Sequence, residues 1–277
     1  MSQAGNPDSN PDGNPACDLD SDLDSHFPAR LEQLEDSIAA ACRAAARPRA
    51  EVELMAVSKT HPVEAILAAQ RLGLTLFGEN RVQEFAGKSA ALPRDQRAAM
   101  RVHLIGHLQG NKAARAAELF DGIDSLDSLS LAERLNTAAN TASNTAAKTA
   151  ARTAAERAGK RLPVLVEIKL SDEASKTGLA PDARELADLL ERLPALSHLD
   201  PQGLMTIAPL GVGQDQTRAC FRQLRQLRDS LSATHPRLDL RVLSMGMSGD
   251  FALAIAEGAT RIRVGTALFG ARATHSA

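Results

Sequence analysis

Tryptophan and tyrosine are both absent from this 277-residue sequence. No phenol is therefore available as an acid or a base. Cysteine is scarce: Cys17, Cys42 and Cys220 are widely spaced and odd in number. They offer neither a disulfide framework nor a zinc spacing, which is the usage of a reducing, cytoplasmic compartment. Lysine is scarce as well, with 7 residues against 25 arginines, and no basic block is dense enough to form a groove. A net charge of −2 and a pI of about 6.4 give no electrostatic case for nucleic-acid binding. No apolar run approaches the ~18 residues of a membrane span. The N-terminus has no charged-then-apolar pattern of a signal peptide.

What is present suits a large core, since 44% of the residues are apolar. Met1 to Ser25 is rich in Asp, Asn, Pro, Gly and Ser and reads as a disordered acidic tail, leaving residues 26–277 as one domain. Phe27, Leu31, Leu34, Ile38 and Ala41 recur at helical spacing. Eight apolar runs follow: 52–57, 74–77, 102–105, 122–126, 164–168, 203–207, 240–243 and 261–264. Most are apolar on both faces, as in a parallel sheet covered by helices. Helix-like stretches lie between them, so eight strand–helix units predict a (β/α)8 TIM barrel. A doubly wound open sheet stays open on strand counting alone. A low-complexity Ala/Thr insertion at 137–158 reads as a surface extension of a helix or a loop.

In such barrels the site forms at the C-terminal ends of the strands. Lys59 follows the first strand. Held at the end of a buried strand, a lysine is partly desolvated, which favours the neutral amine that attacks an aldehyde. The alternative is a lysine that merely reaches into solvent. Ser244 to Gly249 after strand 7, with Gly265 and Thr266 after strand 8, could cradle a phosphate on backbone amides. The competing reading makes Ser248 or Asp250 a helix cap and Gly265 a turn. Asp250, being acidic, is expected to cap the helix and point away. Arg263 alternates with Arg261 on one face of strand 8. It could face a ring nitrogen, which it would keep unprotonated, or form a salt bridge inside the barrel. Schiff-base lysine, phosphate cradle and arginine together specify pyridoxal 5′-phosphate, PLP.

Six stretches carry a family resemblance: Ala56–Thr60, Phe77–Glu84, His103–Lys112, Gly203–Met205, Ser244–Asp250 and Arg263–Gly270. Across about residues 27–272 the chain resembles the YggS/PROSC family of pyridoxal phosphate homeostasis proteins. The resemblance implies a single-domain barrel of the alanine-racemase N-terminal type, PLP fold-type III, without a C-terminal β domain. It implies that Lys59 carries PLP as an internal aldimine. Ser248, Gly265 and Thr266 would hold the phosphate, Arg263 would face the ring nitrogen, Asn80 would lie by the ring, and Met205 and Met245 would line its surroundings. The implied role is control of free PLP, with no established reaction of its own. The expected partners are PLP itself and apo forms of PLP-dependent enzymes, the protein acting as a monomer in the cytoplasm. The sequence departs from the family at Arg81, where an aromatic residue is common, and at His107, where proline is common.

The rival reading is a PLP-dependent amino-acid racemase. Racemisation needs two acid–base groups on opposite faces of an α-carbon. Alanine racemases supply the second as a tyrosine from a β-rich domain. This chain has no tyrosine and ends seven residues after Gly270, so that domain is expected to be missing. His107 is the nearest substitute by loop position, against a plainer reading as a loop histidine bonded to backbone. An arginine at the ring nitrogen would also weaken the cofactor as an electron sink. An interaction scaffold, built on the basic face of Arg218, Arg222, Arg225 and Arg228, has weaker support because such faces are mostly solvated.

Overall fold

A computed structural model describes residues 16–146, 161–171, 173 and 176–270. Eight parallel strands close into a barrel in sequence order, β8 pairing with β1. They are β1 Glu53–Val57, β2 Leu76–Glu79, β3 Arg101–Leu104, β4 Gly122–Leu126, β5 Leu162–Glu167, β6 Leu199–Met205, β7 Val242–Ser244 and β8 Arg261–Val264. Closure removes every sheet edge and decides between the two folds left open by strand counting. The ten helices among the described residues are α1 Ala16–Ala44, α2 Val63–Arg71, α3 Val82–Ala91, α4 Arg94–Ala98, α5 Ala113–Leu119, α6 Leu129–Ala146, α7 Arg184–Arg192, α8 Gln214–Thr234, α9 Phe251–Ala256 and α10 Thr266–Phe269.

The apolar residues of α1 dictate its placement. Phe27, Leu34 and Ile38 share one helical face and are buried, where α1 packs against α9 and α10. The Phe27 and Phe269 rings meet at 5.4 Å. The helix begins at Ala16, so the expected tail boundary at residue 25 falls inside it. Residues 1–15 lie outside the described residues. Likewise α6 carries the Ala/Thr segment as helix as far as Ala146, and residues 147–158 lie outside the description.

Strand alternation turns charged residues into the barrel at its N-terminal end. Arg261 bonds Glu53 at 2.8 Å and Asp124 at 3.1 Å, and Asp124 bonds His103 at 2.8 Å. Of the two arginines of β8, Arg261 therefore makes the interior salt bridge. Burial alone would raise the Asp124 carboxyl, but His103 and Arg261 hold it below its ordinary value. This cluster plugs the bottom of the barrel and leaves the opposite mouth for chemistry. Among the described residues no helix is long and apolar enough to cross a membrane.

Candidate functional site

Lys59 sits in a turn two residues past the end of β1 and is half-buried. Three features hold that turn. The Ser58 carbonyl accepts the His61 N–H at 3.1 Å. Thr60 adopts a left-handed φ of 66°, unusual for a β-branched residue, and its N–H donates to the Glu84 carboxylate. Beneath them the Lys88 ammonium donates to the Ser58 carbonyl, Glu79 Oε1 and Glu84 Oε1, each at 2.8 Å. The Ser58 hydroxyl donates to the same Glu79 oxygen at 2.8 Å. Burial pushes the Glu79 carboxyl up despite the pull of Lys88. Burial also pushes on Glu84, yet bonds from Lys88 and the Thr60 amide hold it below its ordinary value.

The Lys59 turn is also fastened sideways, since the His61 ring stacks on Phe269 of α10 at 4.9 Å. Asn80 follows β2 and lies over Gly106. A Cβ on Gly106 would stand 2.2 Å from the Asn80 carbonyl oxygen and 2.7 Å from its side-chain oxygen. Only glycine allows that approach.

Arg263 is buried in β8, beside Met55 of β1. It donates to the Ser244 carbonyl at 2.7 Å, the Ser244 hydroxyl at 2.9 Å and the Thr206 carbonyl at 2.8 Å. Among the described residues no carboxylate bonds it directly. A guanidinium has five N–H donors, so these three bonds leave two uncommitted. Burial lowers its pKa, yet arginine keeps its proton in proteins.

The loops after β7 and β8 meet. Ser248 Oγ accepts the Ala267 N–H across a long 3.4 Å, which brings Ser248 beside Gly265 and Thr266. Gly246 turns the first loop with φ of 91°, and a Cβ there would meet the Ala254 Cβ at 2.6 Å. Asp250 precedes α9 but makes no side-chain cap to it. Its carboxylate instead accepts the Met247 N–H, so it braces the loop rather than capping the helix. Met205 and Met245 are fully buried and belong to the wall rather than to open space.

His107, expected to bond backbone, pairs instead with Asp127: Nδ1 lies 3.0 Å from Oδ2, with the histidine half in solvent. Arg81 is exposed and precedes α3. The sequence reading missed Ser58, Glu79, Glu84 and Lys88. The i,i+4 spacing of Glu84 and Lys88 was the available signal. Nothing in the sequence marks Lys88 as buried. Glu167, at the end of β5, was also missed. It is 4% exposed, accepts the Thr177 hydroxyl at 2.8 Å, and keeps its Oε2 without a partner among the described residues.

These features define a class: residues 30–273 match the alanine racemase N-terminal domain. The barrel overlays alanine racemase of Clostridium difficile with a TM-score of 0.60 at 14% identity. That overlay covers 81% of this chain and 53% of the racemase, a likeness of fold. Much nearer is the pyridoxal phosphate homeostasis protein of Pasteurella multocida, 40% identical over 87% of this chain and 96% of its own length. The protein of the same name from Escherichia coli is 37% identical over 87% and 95%. PipY of Synechococcus elongatus, solved with PLP bound, is 41% identical with a TM-score of 0.68, covering 85% of this chain and all of PipY. The chain belongs to the pyridoxal phosphate homeostasis protein family.

Proposed function

We propose that this chain binds PLP as a reversible Schiff base on Lys59 and holds it for supply to apo forms of PLP-dependent enzymes, with no turnover of its own. The observation that carries the reading is the placement of the Lys59 turn after β1 and of the paired loops at Ser248 and Ala267 at the same end of the barrel, with Arg263 buried in β8 between them. The homeostasis name of the relatives and the PLP in PipY support it.

The residues fit the group. The Ser248 hydroxyl accepts a loop amide where a phosphate oxygen would bind, and its long bond yields readily to a charged acceptor. Gly265 and Thr266 would complete the phosphate grip. Arg263 would donate a spare N–H to the ring nitrogen, while Asn80 flanks the ring and Met205 and Met245 back it. Bound there, PLP would supply an aldehyde for reversible condensation, and Lys59 would offer the amine, one water leaving on loading and returning on release. Lys88 holds the Ser58 carbonyl, so the lysine turn stays fixed during loading and release.

Catalysis of racemisation would need a second acid–base group. His107, half-solvated and tied to Asp127, is a weak candidate beside the missing tyrosine. The test is Lys59→Ala. The wild type is expected to take up PLP with an absorbance band that the variant lacks, and to restore an apo-enzyme when mixed with it. An unchanged band in the variant contradicts the assignment. Solvent deuterium entering the α-position of alanine at enzymatic rates would favour the racemase.

A further inference from the structure

Beyond β5 and β6 the structure holds a second cavity of about 150 Å³, several times the room one water needs. None of the residues assigned to the cofactor lines it. Its frame is firm on one side. The chain after β5 doubles back, with the Leu179 N–H donating to the Glu167 carbonyl and the Lys169 N–H to the Leu179 carbonyl, both at 2.9 Å. Lys176 crosses to the next loop and donates to the Ala208 carbonyl at 2.7 Å.

The lining carries groups of both signs. Glu167 is almost completely buried, and its Oε2 has no partner. Ser171 Oγ is buried and equally without one. Lys169 also lines the cavity, with no side-chain partner among the described residues, and so does Lys176, whose ammonium is paired with Glu173 at 3.2 Å. Buried polar atoms are rarely left unbonded, because each costs free energy when desolvated. An unpaired carboxyl oxygen, an unpaired hydroxyl and an uncommitted ammonium in one small cavity call for a ligand bearing both charges.

We propose that this cavity binds a small zwitterionic α-amino acid, its ammonium on Glu167 Oε2 and its carboxylate between Lys169 and Ser171, with Ile207 against a short side chain. Thr177 fixes the other Glu167 oxygen, so the free one is aimed. Burial pushes the Glu167 carboxyl up, a desolvation cost that an ammonium bonded to it would offset. The inference goes beyond cofactor storage and does not rest on it.

The experiment is calorimetric titration of the full-length protein with L-alanine, acetate and ethylamine. Saturable binding of L-alanine is expected, with each half-ligand weaker by at least about tenfold, the loss of one charge-assisted bond. Binding persists in Lys59→Ala. It falls at least about tenfold in Glu167→Gln and about threefold in Ser171→Ala. Ser171 is only half-buried, so its variant stays informative if Glu167→Gln folds poorly. Two results overturn the proposal: no saturable binding of L-alanine at millimolar concentration, or binding lost in Lys59→Ala and kept in Glu167→Gln and Ser171→Ala, which would assign it to bound PLP.

Discussion

The Lys88 ammonium lies 2.8 Å from the carbonyl oxygen of Ser58, the residue before Lys59. A buried cation from α3 thus holds the backbone that presents Lys59. The same ammonium pairs with Glu79, whose other charged neighbour, Glu84, repels it. Removing it leaves an uncompensated buried acid, a change that costs about 3–5 kcal/mol. Lys88→Met is therefore expected to lower stability by that amount in urea unfolding and to reduce PLP loading of Lys59. Stability lost with loading unchanged would show that Lys88 only supports the fold.

Thr60 carries the opposite kind of prediction. Its left-handed backbone costs a residue with a Cβ about 1–2 kcal/mol, and glycine is freed of that cost at an entropic penalty of about 0.5–1 kcal/mol. Thr60→Gly should raise stability slightly, by up to about 1 kcal/mol, while loosening the turn that carries Lys59. Faster PLP release from the variant, measured by trapping free cofactor, is the expected signature.

Gly106→Ala tests the ring wall. The new Cβ meets backbone and side chain of Asn80 at once, so Asn80 must move. Weaker PLP affinity is expected with little change in the far-ultraviolet circular dichroism spectrum. Unaltered affinity would remove Asn80 from the ring contacts.

The charged plug predicts an acid limit. Asp124 and Glu53 are both held below their ordinary values, Asp124 by His103 and Arg261, Glu53 by Arg261 and Arg101, each against the upward push of burial. Depressed carboxyls contribute stability that is present above their unfolded values, near about 4. It is lost as pH falls through the folded values. Glu79, raised by burial, works in the other sense and favours the fold below its unfolded value. Urea melts from pH 7 downward should show stability falling below about pH 4. Asp124→Asn should flatten that fall and lower stability at neutral pH, where Arg261 loses one of its two partners.

The barrel was legible because buried parallel strands are short apolar runs. The runs at 122–126 and 261–264 coincide with β4 and β8. β2 sits two residues later than its run, because Gly78 and Glu79 look like loop residues. Glu79 belongs to the strand only because Lys88 neutralises it. β6 begins four residues before its run, and Pro201 hides the extension. Pro201 pairs with Val164 where the register shifts, the irregular setting in which a strand tolerates proline. Lys59 and the Ser248 loop could be located by position after a strand, and Arg263 by alternation within one. The Glu79–Lys88 pair and the unpartnered Glu167 could not. Their burial comes from packing between distant segments, which no local pattern encodes.

Reduction of the PLP-treated protein with borohydride, followed by peptide mass spectrometry, tests the central claim most directly. The account predicts a pyridoxyl phosphate adduct on Lys59, absent from Lys59→Ala. An adduct confined to other lysines, or none after incubation with excess PLP, would contradict it.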